Sequence, residues 1–463
     1  MKSTLNDVDH AAHAASEAFA TYGWLSGRQK GELLRAIALR LETDGDSIVE
    51  RANGETSLGL TRLQGELTRT CNQWRLFAAL VEEGSWVDAR IDHGKADVRS
   101  MLRPLGPVAV FGASNFPLAF SVPGGDTASA LAAGCPVIAK AHPAHPRTSE
   151  LVGLILADVM PRGTFALVFD DGYEIGSALV KHPLMKAVGF TGSHRGGRAL
   201  MDVAAARREP IPVYAEMGSI NPVFILPRAL RERGPEIAAG IHASVTVGVG
   251  QFCTNPGLVV TTGAEAFLED LATRMAATPC APMLTPSITD AYNAGVARFA
   301  SLADRRAFVE GGAALFATSA STFLNHQELM DEVFGPSTLV VQYESRDRLL
   351  EVARALEGQL TVAVHAAQGE LQEYRDLLAI LEMKAGRIVF NGYPTGVAVV
   401  PAMVHGGPYP ATSDGRSTSV GTRAIERFTR PVAWQNAPDE VLPDELKEPN
   451  PLGIRRMVNG KYA

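Results

Sequence analysis

The spacing of apolar residues along the chain predicts helices over the first 80 residues. In residues 29–55, QKGELLRAIALRLETDGDSIVERANGE, apolar side chains recur at three- and four-residue steps, with Gly and Asp at the breaks. This period is typical of amphipathic helices. Residues 90–103 differ, because two short alternating segments flank His93, Gly94 and Lys95. That pattern predicts a β-hairpin.

From residue 106 onward, apolar strands alternate with helical segments. Strands are predicted at 106–113, 135–141, 164–170 and 187–193, and helices at 124–134 and 147–160. A second stretch of the same kind runs from about residue 217 to 410 and includes TLVVQYE and GRIVFNG. Nearly continuous apolar strands alternating with helices indicate a parallel sheet covered on both faces. The predicted fold class is therefore α/β.

Composition narrows the classes of function. With 463 residues the chain can form two or three domains, and 46% hydrophobic with 20% charged residues is ordinary for globular proteins. A net charge of -7 gives no electrostatic footprint for nucleic acid or an anionic membrane. No apolar run approaches the roughly 20 residues that span a bilayer. Four widely spaced cysteines argue against a disulfide scaffold or a zinc site, so the cytoplasm is the default location.

Two motifs of the first α/β half follow predicted strands. In FGASNFPLAF, Asn115 follows a strand and could offer its amide N–H to an oxyanion, or else cap a turn before Pro117. In FTGSHRGG, Gly192, Ser193 and Gly197 suit either a phosphate at a helix N-terminus or a tight strand–helix turn.

Lys140, at the end of PVIAK, would place a cation near the same crevice; a surface lysine is the alternative. In the second half, Glu332 and Phe334 of DEVFGP stand two residues apart. In an extended segment their side chains would face the same side.

Two further residues point to acid–base and nucleophilic chemistry. Glu216, in YAEMGSINP, is predicted to be partly desolvated, with its pKa raised toward the range of a general base; the alternative is an acid at a helix N-terminus. Cys253, in GVGQFCTNPG, is predicted to lie near backbone N–H groups that lower its pKa; the alternative is a buried free thiol.

Taken together and in this order, the motifs resemble the aldehyde dehydrogenase superfamily along nearly the whole chain. The motifs that carry the resemblance are Asn115 in SNFP, Lys140, FTGS, Glu216 in EMG, Cys253 in GQFCTNPG, and EVFGP. Residues 67–86, 139–152 and 394–435 resemble the branch of 2,5-dioxovalerate (α-ketoglutaric semialdehyde) dehydrogenases and their bacterial fatty-aldehyde relatives.

The resemblance implies a mechanism and a set of site residues. Cys253 would attack the aldehyde carbon, Asn115 and the Cys253 backbone N–H would hold the oxyanion, and Glu216 would activate the water that hydrolyses the thioester. The residues implied to contact the dinucleotide are Lys140, Gly192, Ser193, Gly197, Glu332 and Phe334.

The choice of cofactor depends on one position. NAD-specific relatives commonly carry an acid where this chain has Pro143, in KAHP. Without that carboxylate, and with Lys140, His142 and Arg147 nearby, a 2′-phosphate is tolerated. The sequence therefore predicts NADP, with NAD also possible.

The predicted substrate is 2,5-dioxopentanoate, which would be oxidised to 2-oxoglutarate. A distal carboxylate needs a cation, and Arg69 and Arg75 are candidates on one helix; surface arginines are the alternative. A fatty or medium-chain aldehyde is the alternative substrate, because Phe252, together with Phe116, Leu118 and Phe120, could line an apolar tunnel.

The resemblance also implies domains and assembly. The expected units are a Rossmann-type dinucleotide-binding domain at 1–215, a catalytic domain at 216–410 and a C-terminal return at 411–463, with residues 88–104 as an oligomerisation hairpin. A homodimer or homotetramer is expected, because a lone hairpin is rarely stable. Relatives usually carry several dozen residues before the point where this chain begins, and these normally contribute to the edge of the cofactor domain.

Two other classes share this fold. A coenzyme A-dependent relative would keep the thioester, but Glu216 favours hydrolysis. A catalytically silent structural or binding protein is disfavoured by the joint presence of Asn115, Glu216, Cys253 and Glu332.

Overall fold

Four helices begin the chain in this computed structural model, which describes residues 2–263 and 265–463. They are α1 (Leu5–Tyr22), α2 (Gly27–Thr43), α3 (Gly45–Thr56) and α4 (Leu60–Glu83). Thr4 and Ser26 start the first two, each accepting a hydrogen bond from a backbone N–H of the first turn. Gly84, at a φ of 87°, ends α4 in a conformation that favours glycine. The predicted helical start is confirmed.

The first α/β half forms a five-stranded parallel sheet. After β1 (Arg90–Asp92) and β2 (Val98–Pro104), its elements are β3 (Val108–Phe111), α5 (Gly125–Ala133), β4 (Val137–Lys140), α6 (Pro146–Val159), β5 (Phe165–Val168), α7 (Glu174–Lys181), β6 (Ala187–Thr191), α8 (His194–Ala205) and β7 (Val213–Glu216). The strand order is β5-β4-β3-β6-β7. Because the chain turns back between β3 and β6, a crevice opens at the carboxyl ends of these strands, where parallel sheets bind ligands.

The second half forms a seven-stranded sheet. Its elements are β8 (Val223–Ile225), α9 (Pro227–Thr246), β9 (Leu258–Thr261), α10 (Glu265–Ala276), α11 (Pro286–Leu302), β10 (Asp304–Phe308), β11 (Ala314–Ser319), α12 (Ala320–Asn325), β12 (Ser337–Gln342), α13 (Arg346–Ala355), β13 (Gln359–His365), α14 (Arg375–Glu382) and β14 (Ala385–Phe390). The order is β10-β11-β12-β9-β8-β13-β14, and only β10 runs antiparallel to its neighbour. Two apolar clusters cover its faces, as the nearly continuous apolar strands predict.

A third sheet joins the middle of the chain to its end. It adds β15 (Thr429–Gln435), β16 (Met457–Val458) and β17 (Lys461–Tyr462), in the order β15-β2-β1-β16-β17. β1 and β2 pair antiparallel, but they are not alone, because β15 and β16 of the same chain flank them. The argument that a lone hairpin requires a partner chain was therefore wrong. The role of this sheet in an oligomer, like the domain boundaries, stays a prediction.

Within the residues that the structure describes, the search for a helix long and apolar enough to cross a membrane found none.

Candidate active site

Three side chains from distant parts of the chain meet between the two large sheets. Glu216 is the last residue of β7, Cys253 follows the short 3₁₀ turn Val247–Gly250, and His405 lies in the segment between β14 and β15. The Cys253 Sγ is 3.6 Å from the His405 Nε2, which is 3.0 Å from the Glu216 Oε1. Both contacts use one ring nitrogen, so a proton that Nε2 takes from the thiol is the proton that Nε2 then donates to the carboxylate.

His405 is fixed by its own backbone. Its N–H donates to the Thr418 Oγ1 at 2.8 Å, and its carbonyl accepts from the N–H of Ser419 at 2.8 Å. The Ser419 hydroxyl donates to the Glu216 Oε2 at 2.6 Å. The segment that carries His405 therefore also holds the carboxylate next to it.

Glu216 differs from its predicted state in one respect. Burial works to raise the pKa of its carboxyl, but the charge of His405 and hydrogen bonds from His405 and Ser419 outweigh that effect, so the pKa is lowered. The predicted rise was therefore wrong. The position at the end of β7 also rules out the alternative of an acid at a helix N-terminus.

The pKa of the Cys253 thiol differs from its predicted value in the opposite direction. Burial and the nearby Glu216 carboxylate raise the pKa of the thiol well above its usual value. The thiol lies in a turn, within the expected helix start or loop, but the predicted lowering of its pKa was wrong, because burial and the adjacent carboxylate disfavour the thiolate. The thiol therefore needs a proton acceptor in order to react at neutral pH, and the His405 Nε2 lies within reach.

Asn221 holds the loop that carries the thiol. The Asn221 side-chain amide donates to the carbonyl oxygens of Cys253 and Asn255, at 2.8 and 2.9 Å. Asn221 is fully buried, with a φ of 44° that asparagine tolerates better than most residues. This support fixes the direction in which the Cys253 side chain points.

Asn115 lies in the loop after β3 and is buried. Its Nδ2 donates to the carbonyl of Gln251, two residues before the thiol, at 2.9 Å. An amide nitrogen carries two hydrogens, so one remains for an oxyanion. Asn115 bonds across to the thiol loop rather than only capping its own turn.

The residues predicted to contact a dinucleotide divide between the two halves of the chain. Lys140 ends β4, half-buried, and burial lowers its pKa. Ser193 caps α8, its hydroxyl accepting the N–H of Gly196 at 3.2 Å. A Cβ on Gly197 would lie 2.5 Å from the Met217 Sδ, so this glycine serves the packing of α8 on β7.

Glu332 and Phe334 line one small pocket together with Ser219 and Ile220. A Cβ on Gly218 would meet the Glu332 Oε2 at 2.0 Å, so the carboxylate lies directly against this backbone. The crevice at the carboxyl ends of the strands, a half-buried lysine, a helix N-terminus and this carboxylate fit a nicotinamide dinucleotide.

The groups near the expected adenosine ribose are less cationic than the sequence suggested. His142 stacks on His145 with ring centroids 5.4 Å apart, and burial lowers the pKa of His142 to about 3. His142 is therefore neutral and contributes no positive charge. Arg147 is exposed at the start of α6, where Glu55 accepts the backbone N–H groups of Arg147 and Thr148 at 2.9 and 2.7 Å.

The two arginines predicted to bind substrate lie in different places on α4. Arg69 lies over the Phe120 ring, with its guanidinium carbon 4.7 Å from the ring centroid. Arg75 instead pairs with Glu42 of α2 at 2.6 Å in a half-exposed ion pair. The prediction for Arg75 was wrong, because six residues on a helix carry a side chain to another face.

Phe252, next to the thiol, packs edge-on against Phe116 at 5.2 Å. Arg62 lies over both rings, at 5.1 and 5.0 Å. Leu118 is fully buried in the core with the first helices, so it contributes packing rather than tunnel wall.

Sequence reasoning missed His405, Ser419, Arg62 and Glu66. The signal for His405 was the pair of glycines that follows it. A Cβ added at Gly406 would lie 2.4 Å from the Ser417 carbonyl oxygen, and one added at Gly407 would lie 2.2 Å from the Gln359 carbonyl oxygen. Such close backbone approach marks a shaped segment. Nothing comparable in the local pattern marks Arg62 or Glu66.

The chain resembles known proteins in sequence along nearly its whole length. The sequence profile of the aldehyde dehydrogenase family matches residues 1–431. The chain is 50% identical to alpha-ketoglutaric semialdehyde dehydrogenase 2 of Azospirillum brasilense, covering 98% of this chain and 91% of that protein. It is 44% identical to alpha-ketoglutaric semialdehyde dehydrogenase of Acinetobacter baylyi, covering 99% and 92%.

Two solved structures share the fold. Proline utilization A of Bradyrhizobium japonicum superposes with a TM-score of 0.82 at 23% identity, covering 94% of this chain and 45% of that longer chain. Betaine aldehyde dehydrogenase of Staphylococcus aureus, in complex with NAD+, gives 0.80 at 19% identity, covering 95% and 92%. The predicted fold class is confirmed. The chain belongs to the aldehyde dehydrogenase family and is an NAD(P)-dependent oxidoreductase that acts on the aldehyde group.

Proposed function

We propose that this protein oxidises 2,5-dioxopentanoate to 2-oxoglutarate with NADP, through a thioester on Cys253. The observation that carries the mechanism is the contact of the Cys253 Sγ with the His405 Nε2, itself 3.0 Å from the Glu216 carboxylate. The substrate is supported by the two relatives named alpha-ketoglutaric semialdehyde dehydrogenases, which align along almost their whole length.

In the first step the Cys253 sulfur bonds to the aldehyde carbon. The thiol proton passes to the His405 Nε2, which holds a free lone pair when the ring hydrogen is on Nδ1. The new Nε2–H then donates to the Glu216 carboxylate, which stabilises the imidazolium. The free N–H of the Asn115 amide and the Cys253 backbone N–H stabilise the oxyanion of the thiohemiacetal.

The oxyanion then collapses to a thioester as the carbon loses hydride. When bound, the nicotinamide cofactor accepts that hydride. The half-buried Lys140, the α8 N-terminus and Glu332 would hold the dinucleotide.

Hydrolysis needs a base for water. The lowered pKa of Glu216 keeps its carboxylate ionised at neutral pH, and the carboxylate accepts the proton of the water that attacks the thioester. The C–S bond then breaks, the Cys253 sulfur takes back the proton held by His405, the carboxylic acid leaves, and Glu216 returns its proton to solvent. This base favours hydrolysis over transfer of the acyl group to coenzyme A.

The preference for NADP rests on Pro143, Lys140 and Arg147. Pro143 provides no carboxylate to repel a 2′-phosphate, and two cations remain after the neutral His142 is discounted. Glu55 lies close, but three donors take up its carboxylate: the N–H groups of Arg147 and Thr148 and the hydroxyl of Thr148. Its charge is therefore largely compensated.

The experiment that tests this proposal compares kcat/KM for several aldehydes with NADP and with NAD. We expect 2,5-dioxopentanoate with NADP to exceed succinic semialdehyde, glutaraldehyde and decanal by at least about tenfold. A higher value for decanal would favour a fatty-aldehyde dehydrogenase. Equal values with NAD would remove the cofactor preference, and no turnover of any aldehyde would favour a silent protein.

We expect His405→Asn to lower kcat/KM at neutral pH by about 10²- to 10⁴-fold, the usual contribution of a general base. Without a proton acceptor only the pre-formed thiolate reacts, and the raised pKa of Cys253 makes thiolate scarce at neutral pH. The activity of the variant should therefore rise steadily with pH through the alkaline range. The rate of Cys253 alkylation by iodoacetamide, measured against pH, checks this, and an unchanged pH profile would contradict it.

A further inference from the structure

One face of α4 presents an alternating row of charges toward the active site. Arg62, Glu66 and Arg69 follow at steps of four and three, which places them on one face of a helix. The Glu66 carboxylate is 5% exposed and accepts the backbone N–H groups of Leu118 and Ala119, at 2.8 and 2.9 Å. One carboxylate between two guanidinium groups leaves this face with a surplus positive charge.

The two arginines are embedded among aromatic rings that border the thiol. Arg62 lies over Phe116 and Phe252, and Arg69 lies over Phe120. The Phe120 and His405 ring centroids are 6.1 Å apart. The guanidinium groups therefore face the space next to the reacting groups, and apolar surroundings strengthen any charge interaction there.

Each arginine has one buried guanidinium nitrogen that is available to donate a hydrogen bond to a ligand. The Arg62 Nη2 donates to the Asn115 carbonyl at 2.7 Å. The Nη1 atoms of Arg62 and Arg69 are both buried, and neither has a hydrogen-bond partner within the described residues. A buried donor without an acceptor is costly, so two on one face indicate acceptors supplied by a ligand.

The arginines differ in their distance from the chemistry. Arg69 lies over the Phe120 ring, which borders His405, and the charges of Cys253 and Glu216 act on it. For Arg62, the carboxylate whose charge acts on it within the described residues is Glu66. Arg69 is thus the nearer cation and Arg62 the farther one. In 2,5-dioxopentanoate the 2-oxo group is nearer the aldehyde than the carboxylate is.

We propose that Arg62 binds the carboxylate of the substrate and Arg69 binds its 2-oxo oxygen, so that α4 selects 2-oxo acids that carry a terminal aldehyde. This inference rests on the proposed function. It assigns the carboxylate to Arg62, a residue outside the sequence prediction, and gives Arg69 a different partner from the one predicted.

A competing role for Arg62 is support of the oxyanion loop through the Asn115 carbonyl. The two roles have different consequences. Loss of loop support slows every aldehyde, whereas loss of a carboxylate partner slows only substrates that carry a carboxylate.

The test uses three aldehydes of equal chain length: 2,5-dioxopentanoate, 5-oxopentanoate and pentanal. For Arg62→Met we expect kcat/KM to fall by at least about tenfold with both acids and to change little with pentanal. For Arg69→Met we expect the larger loss with the dioxo acid, which removes the preference over 5-oxopentanoate. Arg62→Lys keeps the charge and should recover part of the activity on the acids.

Arg75→Met, on the same helix but paired with Glu42, is the matched control and should change none of the three values. Equal losses with all three aldehydes in both Arg62 variants would overturn the proposal in favour of loop support. A wild-type enzyme that prefers pentanal would instead refute the proposed substrate itself. A wild-type preference for the dioxo acid over pentanal that is unchanged in Arg62→Met would refute only the assignment of Arg62.

Discussion

Replacing Cys253 by alanine is expected to lower aldehyde oxidation by roughly 10⁴-fold or more, because removal of a nucleophile abolishes the covalent route. His405 and Glu216 would remain paired, but neither can form a thiohemiacetal. Reduced cofactor formed under saturating aldehyde measures the loss. Binding of the oxidised cofactor, followed by fluorescence quenching, should be retained and would show that the variant is folded.

Cys280→Ala provides the matched control. Cys280 is a free, exposed thiol in the second half of the chain, and its replacement should leave activity unchanged. If the Cys280 variant were inactive and the Cys253 variant active, the nucleophile would lie elsewhere.

The second large effect is expected for Glu216→Gln, which should block hydrolysis while leaving thioester formation possible. Steady-state turnover should fall by about 10²- to 10⁴-fold, because the amide cannot take a proton from water. The first turnover should still release one reduced cofactor per active site in a burst, at a rate slowed by loss of the charge beside His405. Rapid-mixing absorbance measures both phases.

The lowered pKa of Glu216 also determines how the activity of the wild-type enzyme changes with pH. The pKa of Glu216 is lowered, so the carboxylate stays ionised at and below neutral pH and hydrolysis is lost only as the pH falls through that lowered value.

A burst and a steady state reduced by the same factor in Glu216→Gln would show that Glu216 acts only before the thioester forms.

The sequence predicted the sheets well, because the apolar strands carry their pattern locally. Val108–Phe111 and Val137–Lys140 fall inside the strands expected from their apolar runs. The partners of the hairpin escaped prediction, since β15 and β16 come from the far end of the chain. Pairing across such a distance leaves no local signal.

The motifs identified Cys253 as the candidate nucleophile and Glu216 as the candidate base, but they did not predict the direction of either pKa shift. The lowered pKa of Glu216 depends on His405, and the raised pKa of Cys253 depends on burial and on Glu216, contacts that exist only in the folded chain. The charge attributed to His142 failed for a similar reason, because burial lowers its pKa and keeps it neutral. Spacing in a sequence does not report burial at a site assembled from several segments.

Arg75 and Arg62 illustrate the same limit on one helix. Arg75 was selected for its charge, yet Glu42 of another helix pairs with it at the surface. Arg62 lies beside the rings of Phe116 and Phe252, a contact that depends on the loops after β3 and before Cys253. The period of the helix does not determine where either side chain points, because that depends on the elements packed against the helix.

The covalent intermediate on Cys253 is tested most directly by intact-mass and peptide mass spectrometry of the Glu216→Gln variant, mixed with 2,5-dioxopentanoate and NADP. We expect a thioester adduct on Cys253, with the mass of an acyl group derived from 2-oxoglutarate, that forms only when the oxidised cofactor is present. An adduct on another residue, or rapid formation of reduced cofactor with no adduct on Cys253 at any time, would contradict it.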